Sequence, residues 1–146
     1  MMGNSTVGIR AFNMNDDFFW STYIQGVGLG ADPQTQSFSF ESNRTYTIFD
    51  NGASYIFLPP SVYPKLLDAI LIAFGNPNSV VKNGYVLFDG IKAKPVPISF
   101  MFDNHWITLE PDDYLIDVSS FGDRSVLKLL LVQNKYEFFV MGAPIF

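Results

Sequence analysis

Asp50 opens the five residues of this sequence best suited to chemistry, Asp50-Asn51-Gly52-Ala53-Ser54. An apolar strand, Tyr46-Thr47-Ile48-Phe49, runs into them. A second, Tyr55-Ile56-Phe57-Leu58, leaves them and ends at Pro59-Pro60. A carboxylate set at a strand end can take a proton from a bound molecule or give one to it. Gly52 permits the tight turn that presents it. Asp and Gly are equally ordinary at the tips of plain hairpins, so a structural turn is the competing reading.

The other reactive side chains form no comparable set. His105 is the single histidine and sits beside a turn, without the partners that a metal site needs. With one histidine, no Ser/His/Asp set can be assembled. Asp112-Asp113 and Asp16-Asp17 are adjacent carboxylates that point apart on an extended chain, and both pairs read as solvated turns. Gly26, Gly28 and Gly30 alternate but precede no helix start, so they make no phosphate loop. Cysteine is absent, which excludes disulfides and thiolate metal sites. No metal and no cofactor is implied.

The elements around Asp50 read as strands and sharp turns. Trp20 to Leu29 is expected to be a strand ending in glycines. Ser37 to Phe40 alternates, is expected to turn through Glu41–Arg44, and returns as Thr45 to Phe49. Val96 to Phe102 places Val96, Ile98, Phe100 and Phe102 on one face, turns at Asp103-Asn104, and returns as His105 to Leu109. Val126–Val132 and Tyr136–Met141 are expected to form another hairpin through Gln133–Lys135. Phe88-Asp89-Gly90 and Phe121-Gly122-Asp123 read as turns. Repeated hairpins argue for an all-β body. The exception is a helix over 62–73, with Val62, Leu66, Ala69, Ile70 and Ala73 on one face and Leu67, Ile72 and Phe74 widening the stripe. Ser61 is the expected N-cap, Pro64 lies in the first turn, and Gly75 ends the helix.

Composition is consistent with this. The 146 residues suffice for one domain with a sizeable core. Apolar residues make up 48% and aromatics 16%, and fifteen Phe suggest either a dense β core or a face awaiting a partner. Net charge is −5 and no basic run exists, which argues against nucleic acid and anionic membrane as partners. No apolar run is long enough for a transmembrane helix, and no signal peptide is visible. Asn4-Ser-Thr6 and Asn43-Arg-Thr45 are sequons, Asn43 falling at the tip of the expected 41–44 turn.

Phe49 to Ile70 resembles the second active-site segment of pepsin-like aspartic peptidases. There an apolar strand runs into Asp-Thr/Ser-Gly-Thr/Ala-Ser, then a strand, a Pro, and a helix of the form Val-Tyr-x-x-(apolar)-(apolar)-x-Ala-Ile. Four further segments resemble the family in its order: Trp20–Val27, Ile98–Phe102, Leu109–Leu115, and Val140-Met-Gly-Ala-Pro-Ile-Phe146. The resemblance runs from about residue 7 to the last residue. It implies the fold of a pepsin-like aspartic protease lobe, all-β with barrel-like, orthogonally packed sheets and one main helix near 62–73. It also implies that residues 1–146 are a single domain, the second, C-terminal lobe of a bilobal enzyme. The first lobe and the family's final strands are then missing. No second Asp-(Thr/Ser)-Gly is present.

The resemblance implies an aspartic-type endopeptidase that hydrolyses internal peptide bonds. Two carboxylates hold one water and share a proton, because like charges so close do not both ionise. Asp50 is the catalytic member in this chain. A second lobe or chain supplies its partner, and a peptide or protein is the substrate. Asn51, Gly52 and Ala53 are the supporting residues of the loop, and Gly142 supports the loop from the chain's end. Ile48, Ser54 and Val140 match cleft-lining, substrate-binding positions, with core packing as the alternative for Ile48 and Val140. Asn51 stands where the family usually has Thr or Ser. Ala53 stands where a hydroxyl usually bonds the carboxylate. Fewer hydrogen bonds to a charged carboxylate favour its protonated form, so a live site is expected to have a pH optimum above that of the most acid-tuned relatives. The same substitutions suit an inactive pseudo-peptidase lobe kept for binding or assembly. A third arrangement is a one-lobe dimer with two Asp50 at a two-fold axis. A secreted or vacuolar/lysosomal location follows from the resemblance.

Overall fold

The structure, a computed structural model, describes residues 12–14, 19–30, 38–91, 94–118 and 126–146. The strands are β1 Phe12–Met14, β2 Phe19–Leu29, β3 Phe38–Phe49, β4 Ile56–Leu58, β5 Asn78–Lys82, β6 Tyr85–Asp89, β7 Ile98–Phe102, β8 His105–Leu109, β9 Leu115–Asp117, β10 Val126–Leu129, β11 Leu131–Gln133 and β12 Phe139–Met141. Two α-helices, α1 Tyr63–Ala73 and α2 Pro111–Tyr114, and a 3₁₀ turn Ala143–Ile145 complete the elements. The expected all-β class holds. One sheet has the order β11-β4-β12-β3-β2-β7-β8 with β1 also on β2, and the second has the order β5-β6-β10-β9.

Local signals account for the β7–β8 hairpin. Ile98, Phe100 and Phe102 are fully buried on one face. Ser99 is also buried, its hydroxyl 2.9 Å from that of Thr108 across the hairpin. Asp103 and Asn104 both take left-handed φ, 48° and 63°, as a two-residue turn matched to strand twist requires. His105 Nδ1 donates to the Asp103 carbonyl at 2.7 Å, a turn contact.

The expected turn at 41–44 is not there. β3 is one continuous strand, because the eleven-residue β2 is long enough to pair with both halves of it. Glu41 pairs with Gly26 and Thr45 with Ile24, so residues 42–44 lie opposite Gln25 alone in a bulge. Asn43 therefore lies within a strand and not at a hairpin tip. Gln25 is also the extra residue against β7. Its amide exchanges two hydrogen bonds with Asn104, to the side chain at 3.0 Å and from the backbone N–H, tying the bulge to the β7–β8 turn.

The expected 126–141 hairpin is also replaced. The chain leaves the second sheet after Leu129, crosses at Leu130, and enters the first sheet as β11. β11 and β12 do not pair with each other. β4 lies between them, parallel to β11 and antiparallel to β12, while β12 runs parallel to β3. Strands from distant parts of the sequence, β11, β4, β12 and β3, thus lie side by side.

Helix α1 packs its Val62, Leu66 and Ile70 side into the core, and Phe74 beyond its end meets Phe88 of β6 edge-on at 5.5 Å. Ile72 is 70% exposed, so it does not widen the buried stripe as expected. Ser61 is not the cap: Val62 holds that position, while Ser61 donates from its N–H at 3.0 Å and its hydroxyl at 2.6 Å to the Glu137 carboxylate. The helix ends as expected. Gly75 adopts φ 78°, its N–H reaching the Ile72 carbonyl and the Asn76 N–H that of Leu71, which satisfies two end carbonyls. Asp112-Asp113 lie in α2 and not in a plain turn, with the Asp113 carboxylate accepting from the Glu110 N–H at 2.9 Å. The Tyr114 that follows is fully buried and donates its hydroxyl to the Val96 carbonyl. Phe74, Phe88, Phe100, Phe102 and Phe139 are all fully buried, so much of the phenylalanine surplus forms core.

Candidate active site

Asp50 stands one residue beyond the end of β3, half-buried. Its N–H donates to the Met141 carbonyl at 3.0 Å, which prolongs the β3–β12 ladder by one bond. Its side-chain Oδ1 accepts from the Gly52 N–H at 3.0 Å, and the Ala53 N–H returns to the Asp50 carbonyl at 3.1 Å. The turn is therefore closed on both the backbone and the carboxylate. A Cβ on Gly52 would sit 3.3 Å from Asp50 Oδ1, so a side chain there would press on the group it helps to hold.

Gly142 braces this loop from the other end of the sequence. It follows β12 directly, and a Cβ on it would lie 2.1 Å from the Tyr55 carbonyl oxygen and 2.7 Å from that of Ala53. The backbone there passes too close for any side chain. The next residue, Ala143, donates its N–H to the Ala53 carbonyl at 2.7 Å. The loop carrying Asp50 is thus pinned at Asp50 by Met141 and at Ala53 by Ala143, with Gly142 filling the gap.

The register places the remaining expected residues. Ile48, Val140 and Phe57 are cross-strand neighbours on β3, β12 and β4, so they share one face of the sheet. The adjacent row, Phe49, Met141 and Ile56, faces the core, where Met141 and Ile56 are fully buried. Ile48 is 7% exposed and Val140 half-buried, so Ile48 is largely packed while Val140 remains partly accessible on the same face. Asn51 and Ser54 are exposed and Ala53 is half-buried. Asn4 lies outside the described residues.

Three residues near the loop went unnoticed in the sequence. Phe57 shares the face of Ile48 and Val140. Tyr55, beside it, stacks on Tyr85 at a ring separation of 4.9 Å. Lys128 donates from its ammonium to the Tyr55 hydroxyl at 2.7 Å. That hydrogen bond, with a second contact from Tyr85, draws the Tyr55 phenol below the usual tyrosine range, while Tyr85 is pushed above it by its contact with Tyr55. Tyr85 was reachable from sequence: Asn83-Gly84 between Val80-Val81 and Tyr85–Phe88 is a strong hairpin signal, and both residues take left-handed φ here, 54° and 83°.

A strand-end aspartate turn held by a glycine from a distant parallel strand, within two interlocked sheets, defines a pepsin-like aspartyl protease domain. A family model described as eukaryotic aspartyl protease matches residues 5–146. The chain belongs to that family. No curated protein matches it. Among the described residues, no helix is long and apolar enough to cross a membrane.

Proposed function

We propose that this chain is the second lobe of an aspartic endopeptidase and contributes Asp50 as one of its two catalytic carboxylates. The observation that carries the reading is the bracing of the Asp50 turn by Met141, Gly142 and Ala143, since general acid–base catalysis needs a carboxylate held in place. A partner lobe supplies the second carboxylate. The two groups share one proton across a water, and the ionised member takes a proton from that water as it attacks the scissile carbonyl. The protonated member polarises the carbonyl oxygen. No covalent enzyme intermediate forms. Ile48, Val140 and Phe57 offer an apolar face to the substrate chain beside the carboxylate.

One observation favours the second reading, a pseudo-peptidase lobe used for binding or assembly. Ala53 has no hydroxyl to offer the carboxylate, and Asn51 is exposed. The two readings separate in one experiment. The chain is assembled with a partner lobe and tested on a peptide library, with and without a statine-type mimic of the tetrahedral transition state. Cleavage blocked by the mimic and lost by at least about 10³-fold in Asp50→Asn supports the enzyme. Cleavage that survives Asp50→Asn, or its absence from every assembly that binds the mimic, supports the scaffold. The family reading also carries a secreted or lysosomal location, which glycan occupancy at Asn4 or Asn43 in the native source would support.

A further inference from the structure

Lys128 is half-buried, and among the described residues no carboxylate stands against it. Its ammonium bonds the Tyr55 hydroxyl at 2.7 Å and lies 4.0 Å from the centre of the Tyr85 ring and 5.0 Å from that of Tyr55. The rings themselves are stacked, 23° from parallel. An ammonium has three donors, and Tyr55 takes one. The aromatic faces hold the cation by attraction to their π electrons, which fixes a side chain that is otherwise floppy. A cation fixed in this way has little rotamer freedom left to lose when an anion binds, and that loss is what makes most exposed ion pairs weak.

Its position relative to Asp50 follows from the strand register. Phe49, Met141 and Ile56 form one cross-strand row on β3, β12 and β4. One step further along those strands stand Asp50, Gly142 and Tyr55. Two strand spacings separate Asp50 from Tyr55, about 10 Å. An extended peptide advances about 3.3 Å per residue, so on a path running from Asp50 toward Tyr55 that separation spans about three residues. Beside it a groove of about 510 Å³ is lined by Tyr55, Phe57, Tyr63, Leu67, Tyr85 and Val132, with room for the apolar residues of a bound chain.

We infer that Lys128, gripped by Tyr55 and Tyr85, is a specificity determinant that reads an acidic side chain of the peptide substrate about three residues from the scissile bond. This assignment rests on the peptidase reading for its substrate class. The charge argument is local: the chain as a whole carries net charge −5, but among the described residues Lys128 bonds the Tyr55 hydroxyl and no carboxylate. A substrate carboxylate beside the Tyr55 and Tyr85 rings accepts from the two unused N–H groups of Lys128, and its apolar neighbours fill the groove that those rings help to line.

The test uses peptide pairs that differ only in Glu against Gln, scanned over four positions on each side of the cleaved bond. Two measurements are made. The first is binding to the chain alone, read from tyrosine fluorescence. The second is kcat/KM in the assembly with the partner lobe. The expected result is a preference for Glu of about fivefold at one position, near three residues from the bond. It disappears in Lys128→Met, survives in Lys128→Arg, and shrinks as salt is raised. A merely structural lysine would weaken both peptides alike and leave the ratio at one. Equal binding of Glu and Gln peptides by the unaltered chain overturns the assignment, as does a preference that persists in Lys128→Met. Cleavage without discrimination removes the Lys128 assignment and leaves the peptidase reading intact. Absence of cleavage removes the peptidase reading, and the binding ratio still decides whether Lys128 reads acid.

Discussion

Gly142→Ala is the sharpest perturbation of the site, because its cost is steric and can be worked out from distances. Gly142 has φ −90° and ψ −158°, an extended conformation open to any residue, so backbone strain is not the issue. The added methyl would lie 2.1 Å from the Tyr55 carbonyl oxygen, 2.7 Å from that of Ala53 and 3.0 Å from the Ala53 carbonyl carbon, where ordinary contact begins at 3.4 Å. All three are backbone atoms and have no rotamer to move into. The loop must back away by more than an ångström, which strains or breaks the bonds from Ala143 N–H to Ala53 and from Asp50 N–H to Met141. Overpacking costs about 1–3 kcal/mol and each lost hydrogen bond about 1 kcal/mol, giving about 2–5 kcal/mol in all. At this chain length that lowers Tm by about 6–15 °C, measured by circular dichroism and by urea titration. Gly84→Ala is the matched control. There φ is 83° and nothing lies within 4 Å of the added carbon, so only left-handed strain of about 1–2 kcal/mol is paid. In an active assembly, Gly142→Ala is expected to cost about a further 10²-fold in kcat, from carboxylate misplacement alone. If Gly142→Ala melts within about 2 °C of the unaltered chain, or no lower than Gly84→Ala, the bracing argument is wrong.

Burial, and secondarily the Glu110 carboxylate, push the Tyr114 phenol well above its usual value. Because the folded phenol titrates above the unfolded one, its stabilising contribution is fully present below about pH 10 and is lost as pH climbs further, since the unfolded phenol ionises first. Urea titrations from pH 8 to 11 are expected to show stability falling above about pH 10 by up to about 1.4 kcal/mol per unit. Tyr114→Phe flattens that fall and costs about 1–2 kcal/mol at neutral pH through the orphaned Val96 carbonyl.

The readable parts of this fold were those where a local signal and its partner lie close in sequence. Ile98, Phe100 and Phe102 alternate, Asp103-Asn104 can take left-handed φ, and β8 follows at once, so the hairpin is legible from the residues alone. Asn83-Gly84 carried the same kind of signal for β5 and β6. The misreadings arose where polar residues suggested a turn while a distant strand offered pairing instead. Glu41–Arg44 contains no glycine or proline to enforce reversal, and β2 is long enough to carry β3 through with a bulge. Gln133–Lys135 does end a strand, yet β12 pairs with β3 and β4, both far earlier in the chain. Such choices are set by which apolar faces can be buried together, and turn propensity is silent on that. The site divides along the same line. Asp50 and Gly142 could be picked out by resemblance to a family pattern. That Gly142 is needed for lack of room, and not for its φ, is visible only once β12 is seen lying between β3 and β4. Lys128 is one basic residue among nine until Tyr55, in the row of Asp50, is found to hold it. The same crossing that pins the carboxylate also sets Tyr55, and through it Lys128, two strands from Asp50. Changes at Gly142 should disturb both catalysis and the Glu/Gln ratio, whereas changes at Lys128 should disturb the ratio alone.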